Sequence, residues 1–155
     1  MDVQIKLVDS ANLLTAMNLI EECFDKFVAP DYCQEGIDTF KNSYIYNKEF
    51  HEKFYQGSEK MYGAYLQDKL VGCLSISVNN TISCVFVKGE FHRQGIATRL
   101  FNTVLGELKS RGETHIKLNA SPYALSFYHS IGFEDKGTES EYKGIRYTPM
   151  QYTID

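Results

Sequence analysis

At 155 residues the chain has the length of one ordinary domain, and residues 1–155 are read as a single unit. Its 43% apolar and 23% charged residues are those of a folded globular protein, which argues against disorder. The 16 basic and 20 acidic side chains leave a formal charge of −4, which argues against long nucleic-acid contacts.

No apolar run approaches the ~18 residues of a membrane span. The start, MDVQIKLVDS, lacks the basic-then-apolar order of a signal peptide. Cys23, Cys33, Cys73 and Cys84 show neither paired spacing nor a ligand pattern with histidine. Reduced thiols, a cytoplasmic protein and no metal are the resulting expectations.

In chain order, Val3, Ile5 and Leu7 alternate with polar neighbours and predict a strand. Asp9 or Ser10 can cap a helix running to about Phe27, carrying Leu13, Met17, Ile20 and Phe24, which Pro30 ends. Residues 33–57 predict one or two further helices. From Met61 the period changes to short β-rich runs, Met61–Leu66, Leu70–Val78 and Thr81–Val87, separated by Gln67-Asp68-Lys69 and Asn79-Asn80. These make an antiparallel meander.

Ile96, Ala97, Leu100, Phe101, Val104, Leu105 and Leu108 then mark one face of a helix that Gly112 closes. His115–Asn119 is a strand, Pro122 suits the first turn of another helix, and Gly132 stops it. Phe133–Lys136 and Arg146–Ile154 predict two more strands. Strand, helix and strand over 81–119 form a crossover, so those two strands should be parallel. The fold class is mixed α/β.

The densest chemical signal is VFVKGEFHRQGIATRL, Val85 to Leu100: a strand, a short loop and a helix start. A helix start exposes unpaired N–H groups and the positive end of the dipole, a site for phosphate oxygens. Gly95 lets backbone come close to an anion, and Ala97 keeps the first turn open. No Gly-Lys-Ser/Thr follows, so this is no P-loop, and the dinucleotide GxGxxG fingerprint is absent.

His92-Arg93-Gln94-Gly95-Ile96-Ala97 resembles the Gln/Arg-x-x-Gly-x-Gly/Ala signature of the GNAT superfamily of acyl-CoA N-acyltransferases, with His92 where Gln or Arg is usual. A second block, from Leu118-Asn119-Ala120-Ser121 through Phe127-Tyr128 to Gly132-Phe133, is similar to that family's fifth strand and following helix.

The resemblance implies a sheet of about seven strands, splayed between strands four and five and flanked by about four helices. Acetyl-CoA would insert in the splay as co-substrate. Backbone groups of Phe86 and Val87 would pair with the pantetheine arm. The segment His92, Arg93, Gln94, Gly95, Ile96, Ala97 and Thr98 would receive the pyrophosphate, and Asn119 would contact the cofactor.

On periodicity alone Tyr128 is a helix aromatic packed with Phe127 and Phe133; its motif position makes it the proton donor to the departing thiolate. No general base is legible. Glu35, His51 and Tyr32 lie in the helices expected to cover the acceptor, and Ser83 and Cys84 occupy the strand positions where the family often has Glu. Cys84 reads as a core residue rather than a nucleophile.

The implied activity is direct transfer of acetyl to a primary amine of a small molecule or peptide. The alternative is a non-catalytic acyl-CoA-binding regulatory module on the same fold. No membrane partner is expected; a homodimer is compatible with the family.

Overall fold

Alternation of Val3 and Ile5 with polar neighbours builds one edge of a sheet. In the computed structural model, which describes residues 2–155, β1 (Val3–Leu7) runs antiparallel to β2 (Glu59–Leu66). β3 (Lys69–Ser77) and β4 (Thr81–Val87) complete the meander. Gln67 and Asp68 alone make the first turn, with φ of 51° and 69°, so Lys69 already belongs to β3. Two left-handed residues give the hairpin turn whose twist matches its strands.

The helix expected to Phe27 is a composite. A 3-10 turn over Ser10–Asn12, capped by the Asp9 carboxylate, leads into α1 (Leu13–Cys23). The path continues as a π-helical turn, Phe24–Val28, and a 3-10 turn, Ala29–Asp31. α2 (Gln34–Phe40) likewise runs into a π-helical turn, Lys41–Ile45. The Asn47 side chain caps α3 (Lys48–Gln56), which ends at Gly57 with φ 83°. Phe24 and Phe27 lie in the first π turn and Tyr44 in the second.

The second half contains α4 (Ile96–Ser110), β5 (His115–Ala120), α5 (Leu125–Ser130), β6 (Glu134–Asp135), β7 (Ser140–Tyr142) and β8 (Ile145–Thr153). Pro122 sits in the turn before α5 rather than in its first turn. The short β7 is wholly exposed and polar, so no pattern announced it. The described residues form eight strands, in the order β1-β2-β3-β4-β5-β8-β6 with β7 on β8; the β4–β5 pair is parallel and the rest antiparallel. No described helix is long and apolar enough to cross a membrane.

The two faces of the sheet feed two cores. Val71, Leu74 and Ile76 of β3 meet the α4 stripe Ile96, Leu100, Val104 and Leu108. Leu70 and Cys73 meet Met17, Ile20 and Phe24 on the other face. β3 breaks parity at Val71, the extra residue between the pairs Tyr65↔Leu70 and Ala64↔Gly72, and β4 breaks it once more. Ile82 lies in the first core and Cys84 in the second, because Ser83 is an extra residue between the pairs Ile76↔Ile82 and Ser75↔Cys84. A bulge of this kind bends the strand and moves later side chains to the opposite face.

β4 pairs with β5 only at Thr81↔Lys117 and Ile82↔Leu118, and beyond these the strands part. The Lys88 N–H donates to the Val71 carbonyl at 2.9 Å, which fixes that pair as hydrogen-bonded. Antiparallel alternation then turns the backbone of Phe86 toward β3 and that of Val85 and Val87 into the gap. The sheet is splayed, with one polar backbone edge open.

The β7–β8 hairpin closes one end of the gap by landing on α2. The Thr39 hydroxyl donates to the Lys143 carbonyl at 2.7 Å, and the Tyr32 hydroxyl to the Arg146 carbonyl at 3.1 Å. A Cβ on Gly36 would lie 2.2 Å from the Gly144 oxygen, closer than atoms can pack. Gly36→Ala should therefore cost about 1–3 kcal/mol and lower Tm by about 3–10 °C. Gly106→Ala, facing open space in mid-α4, should be neutral or stabilising by up to ~1 kcal/mol. Thermal unfolding followed by circular dichroism checks both, and an unchanged Gly36→Ala midpoint would mean the hairpin does not seat on α2.

Candidate functional site

Where β4 and β5 part, a cavity of about 830 Å³ opens to solvent. One end is formed by the loop before α4. Arg93 and Gly95 both have positive φ, 63° and 78°, and together they fold the chain sharply into the helix. No side chain caps α4, so its first N–H groups stay unpaired at the cavity. Nothing lies within 4 Å of a Cβ placed on Gly95, so the backbone angle rather than crowding demands glycine there. Uncapped N–H groups and the helix dipole make this end receptive to anions.

Arg93, Gly95, Ile96, Ala97 and Thr98 all line the cavity, as do Asn119 on β5 and Tyr128 on α5. Gln94 does not. Its side chain is exposed and its amide turns back to the Glu90 carbonyl at 3.5 Å, so the side chain takes no part in the cavity wall.

His92 lines the cavity but is committed elsewhere: its Nε2–H donates to the Val87 carbonyl at 2.6 Å. Nδ1 then faces the Tyr123 hydroxyl at 3.5 Å, and the Phe27 ring packs on His92 with centroids 4.6 Å apart. The histidine side chain is not free for the phosphate contact expected from sequence; it ties the loop to β4. It also occupies one carbonyl of the open edge. Phe86 offers its ring rather than its backbone to the cavity, because its N–H and C=O belong to the β3 ladder.

Ser83, Cys84 and Tyr128 also line the cavity. Burial pushes the Cys84 thiol up to about 12, against a smaller opposing pull from the Ser75 hydroxyl, so it stays protonated and is no nucleophile at neutral pH. Burial, and then the neighbouring Cys84, hold the Tyr128 phenol well above its usual range. That phenol is a neutral donor throughout the physiological range.

A family profile for the acetyltransferase (GNAT) domain matches residues 28–154. The chain belongs to the GNAT acetyltransferase family. The fold is similar to that of the PaiA N-acetyltransferase of Thermoplasma acidophilum, solved in complex with coenzyme A, at 18% identity over 99% of both chains with a TM-score of 0.79. It is also similar to an N-acetyltransferase from Rhodopseudomonas palustris at 15% identity and TM-score 0.83, over 99% of this chain and 97% of that one. An aminoglycoside 6′-N-acetyltransferase complexed with coenzyme A is similar at 16% identity and TM-score 0.69, over 98% and 97% of the two chains.

This GNAT chain contains one buried acid that sequence reasoning missed. Glu59, the first residue of β2, is only 4% exposed, and its carboxylate accepts from the Ser83 hydroxyl at 3.4 Å. Burial raises its pKa from 4.5 to about 7, with weaker opposing pulls from Lys53 and from Ser83. The bulge presents Ser83 to Glu59 on one side and to the cavity on the other.

The three acids and bases considered from sequence are placed differently. Glu35 is exposed on α2 and outside the lining. His51 bonds the Tyr44 carbonyl at 2.9 Å and also lies outside it. Tyr32 lines the cavity, but burial pushes its phenol up to about 12, so it supplies no base near neutrality.

Proposed function

We propose that the chain, acting as one domain, transfers acetyl from acetyl-CoA to a primary amine by direct attack in a ternary complex. The observation carrying this reading is the cavity between β4 and β5. It joins an uncapped helix start, an open backbone edge, and a buried acid reached through one hydroxyl.

The N–H groups from Gly95 to Thr98, with Arg93, would hold the pyrophosphate. Val85 and the Val87 N–H would pair with the pantetheine amides, and Asn119 would add a side-chain contact. Acetyl-CoA supplies an acyl carbon activated as a thioester. A backbone N–H of β4 polarises the acyl carbonyl, and the splay aligns it with the incoming amine.

The amine proton passes through the Ser83 hydroxyl to Glu59. As the new carbon–nitrogen bond forms and the carbon–sulfur bond breaks, Tyr128 gives its proton to the sulfur. No acyl-enzyme is needed, and Cys84 takes no part. A buried acid positioned to take the proton favours catalysis over the purely regulatory alternative.

The test is steady thiol release from acetyl-CoA with a panel of primary amines, read beside the mass of the acetylated product. Gly95→Glu puts a negative charge at the helix start. A mismatch there of about 2 kcal/mol corresponds to roughly thirtyfold weaker acetyl-CoA binding by calorimetry. A folded variant that binds as tightly as wild type would show the cradle to be elsewhere. Binding without turnover of any amine would sink the enzymatic reading.

A further inference from the structure

The two ends of the cavity differ in chemistry. Away from α4 the lining comes from Tyr32, Phe40 and Tyr44 of the helical segment, and from Tyr142, Ile145 and Tyr147 of the hairpin. No Asp or Glu lines any part of the cavity among the described residues. The one lining residue with a permanent charge, Arg93, sits at the α4 end. Burial holds the phenols of Tyr32 and Tyr44 at about 12, so this chamber stays neutral across the physiological range.

The arginine beside Tyr32 is already used. Arg146 donates to Glu139 at 3.2 Å and to the Asp31 carbonyl at 3.1 Å. Glu59 reaches the cavity only by way of Ser83, so a single carboxylate is available to a single amine.

We propose that the acceptor is a primary monoamine with an aromatic or bulky apolar body and no carboxylate. This rests on the amine-acetylation reading above and names the substrate class of that same site. A polyamine or aminoglycoside would bring extra ammonium groups into a chamber with no acid to meet them, and each unpaired charge is costly to desolvate. An amino acid would bring a carboxylate that no free cation receives. An aromatic body, by contrast, gains apolar burial and ring-edge contacts with the surrounding tyrosines. A lone ammonium can rest on a tyrosine face before its proton is taken.

Phenethylamine, phenylalanine, spermidine, kanamycin and a short peptide beginning with Phe decide the matter. Two readouts are needed: acetylation with acetyl-CoA, and calorimetric binding to the protein saturated with CoA. Phenethylamine should exceed phenylalanine, spermidine and kanamycin by about thirtyfold or more in kcat/KM, and in binding by a similar factor.

Spermidine, kanamycin or phenylalanine turned over as well as phenethylamine would overturn the proposal. So would faster acetylation of the peptide, which would move the acceptor to a polypeptide N-terminus, or phenethylamine neither binding nor reacting. Selective phenethylamine binding with no acetylation of any amine would uphold the substrate class and sink the catalytic reading instead.

Discussion

Glu59→Gln is expected to lower kcat/KM for the amine by about a hundredfold or more at pH 8, the range for loss of a general base. The glutamine keeps the size and can still accept from Ser83, but it cannot carry away a proton. With a wild-type pKa near 7, the rate should rise with pH through about 7 and then level off. The variant should lose that limb and follow only the ionisation of the amine itself.

Stability should move the other way. A carboxyl raised from 4.5 when unfolded to about 7 when folded favours the folded state while protonated. That contribution is complete below about pH 4.5 and is lost as pH rises through about 7, a swing of about 3 kcal/mol. Glu59→Gln should therefore match wild type near pH 4 and be more stable than it at pH 9, by denaturant titration. A merely structural glutamate would not pair higher stability with lost activity. Wild-type turnover with an unchanged pH midpoint in the variant would place the base elsewhere.

The contrast between Glu59 and the α4 loop shows what one sequence can disclose. The stripe from Ile96 to Leu108 repeats at helical spacing, and the positive φ of Gly95 belongs to the one residue type that adopts it freely. Both are local properties. The reach of Glu59 to Ser83 is not local: it crosses β3, and it depends on a bulge that TISCVFV does not announce. His92 was misplaced for the same reason, since its ring is bound by a strand carbonyl and packed by an aromatic 65 residues earlier, Phe27, on a π-helical turn. The splay could be expected from the motif, whereas which backbone groups it frees required the register with β3.

Tyr128→Phe is expected to fold and to bind acetyl-CoA within about twofold of wild type, because only the hydroxyl is removed. The ring keeps its edge contacts with Phe127 and Phe133, at centroid distances of 5.3 and 5.5 Å. Turnover should fall by about ten- to a thousandfold, since a positioned general acid contributes about 10²–10⁴ and a thiolate can depart partly unprotonated. Burial keeps the phenol protonated, so its hydroxyl can donate to the sulfur at every working pH. The deficit should shrink for an acyl donor with a more acidic leaving thiol, which needs the proton less. Pairing the two donors separates chemistry from packing: a residue that only supports the cofactor would impose the same deficit on both. Equal losses with the two donors, or an unchanged rate with acetyl-CoA, would reduce Tyr128 to a wall of the cavity and leave the leaving group to take its proton from water.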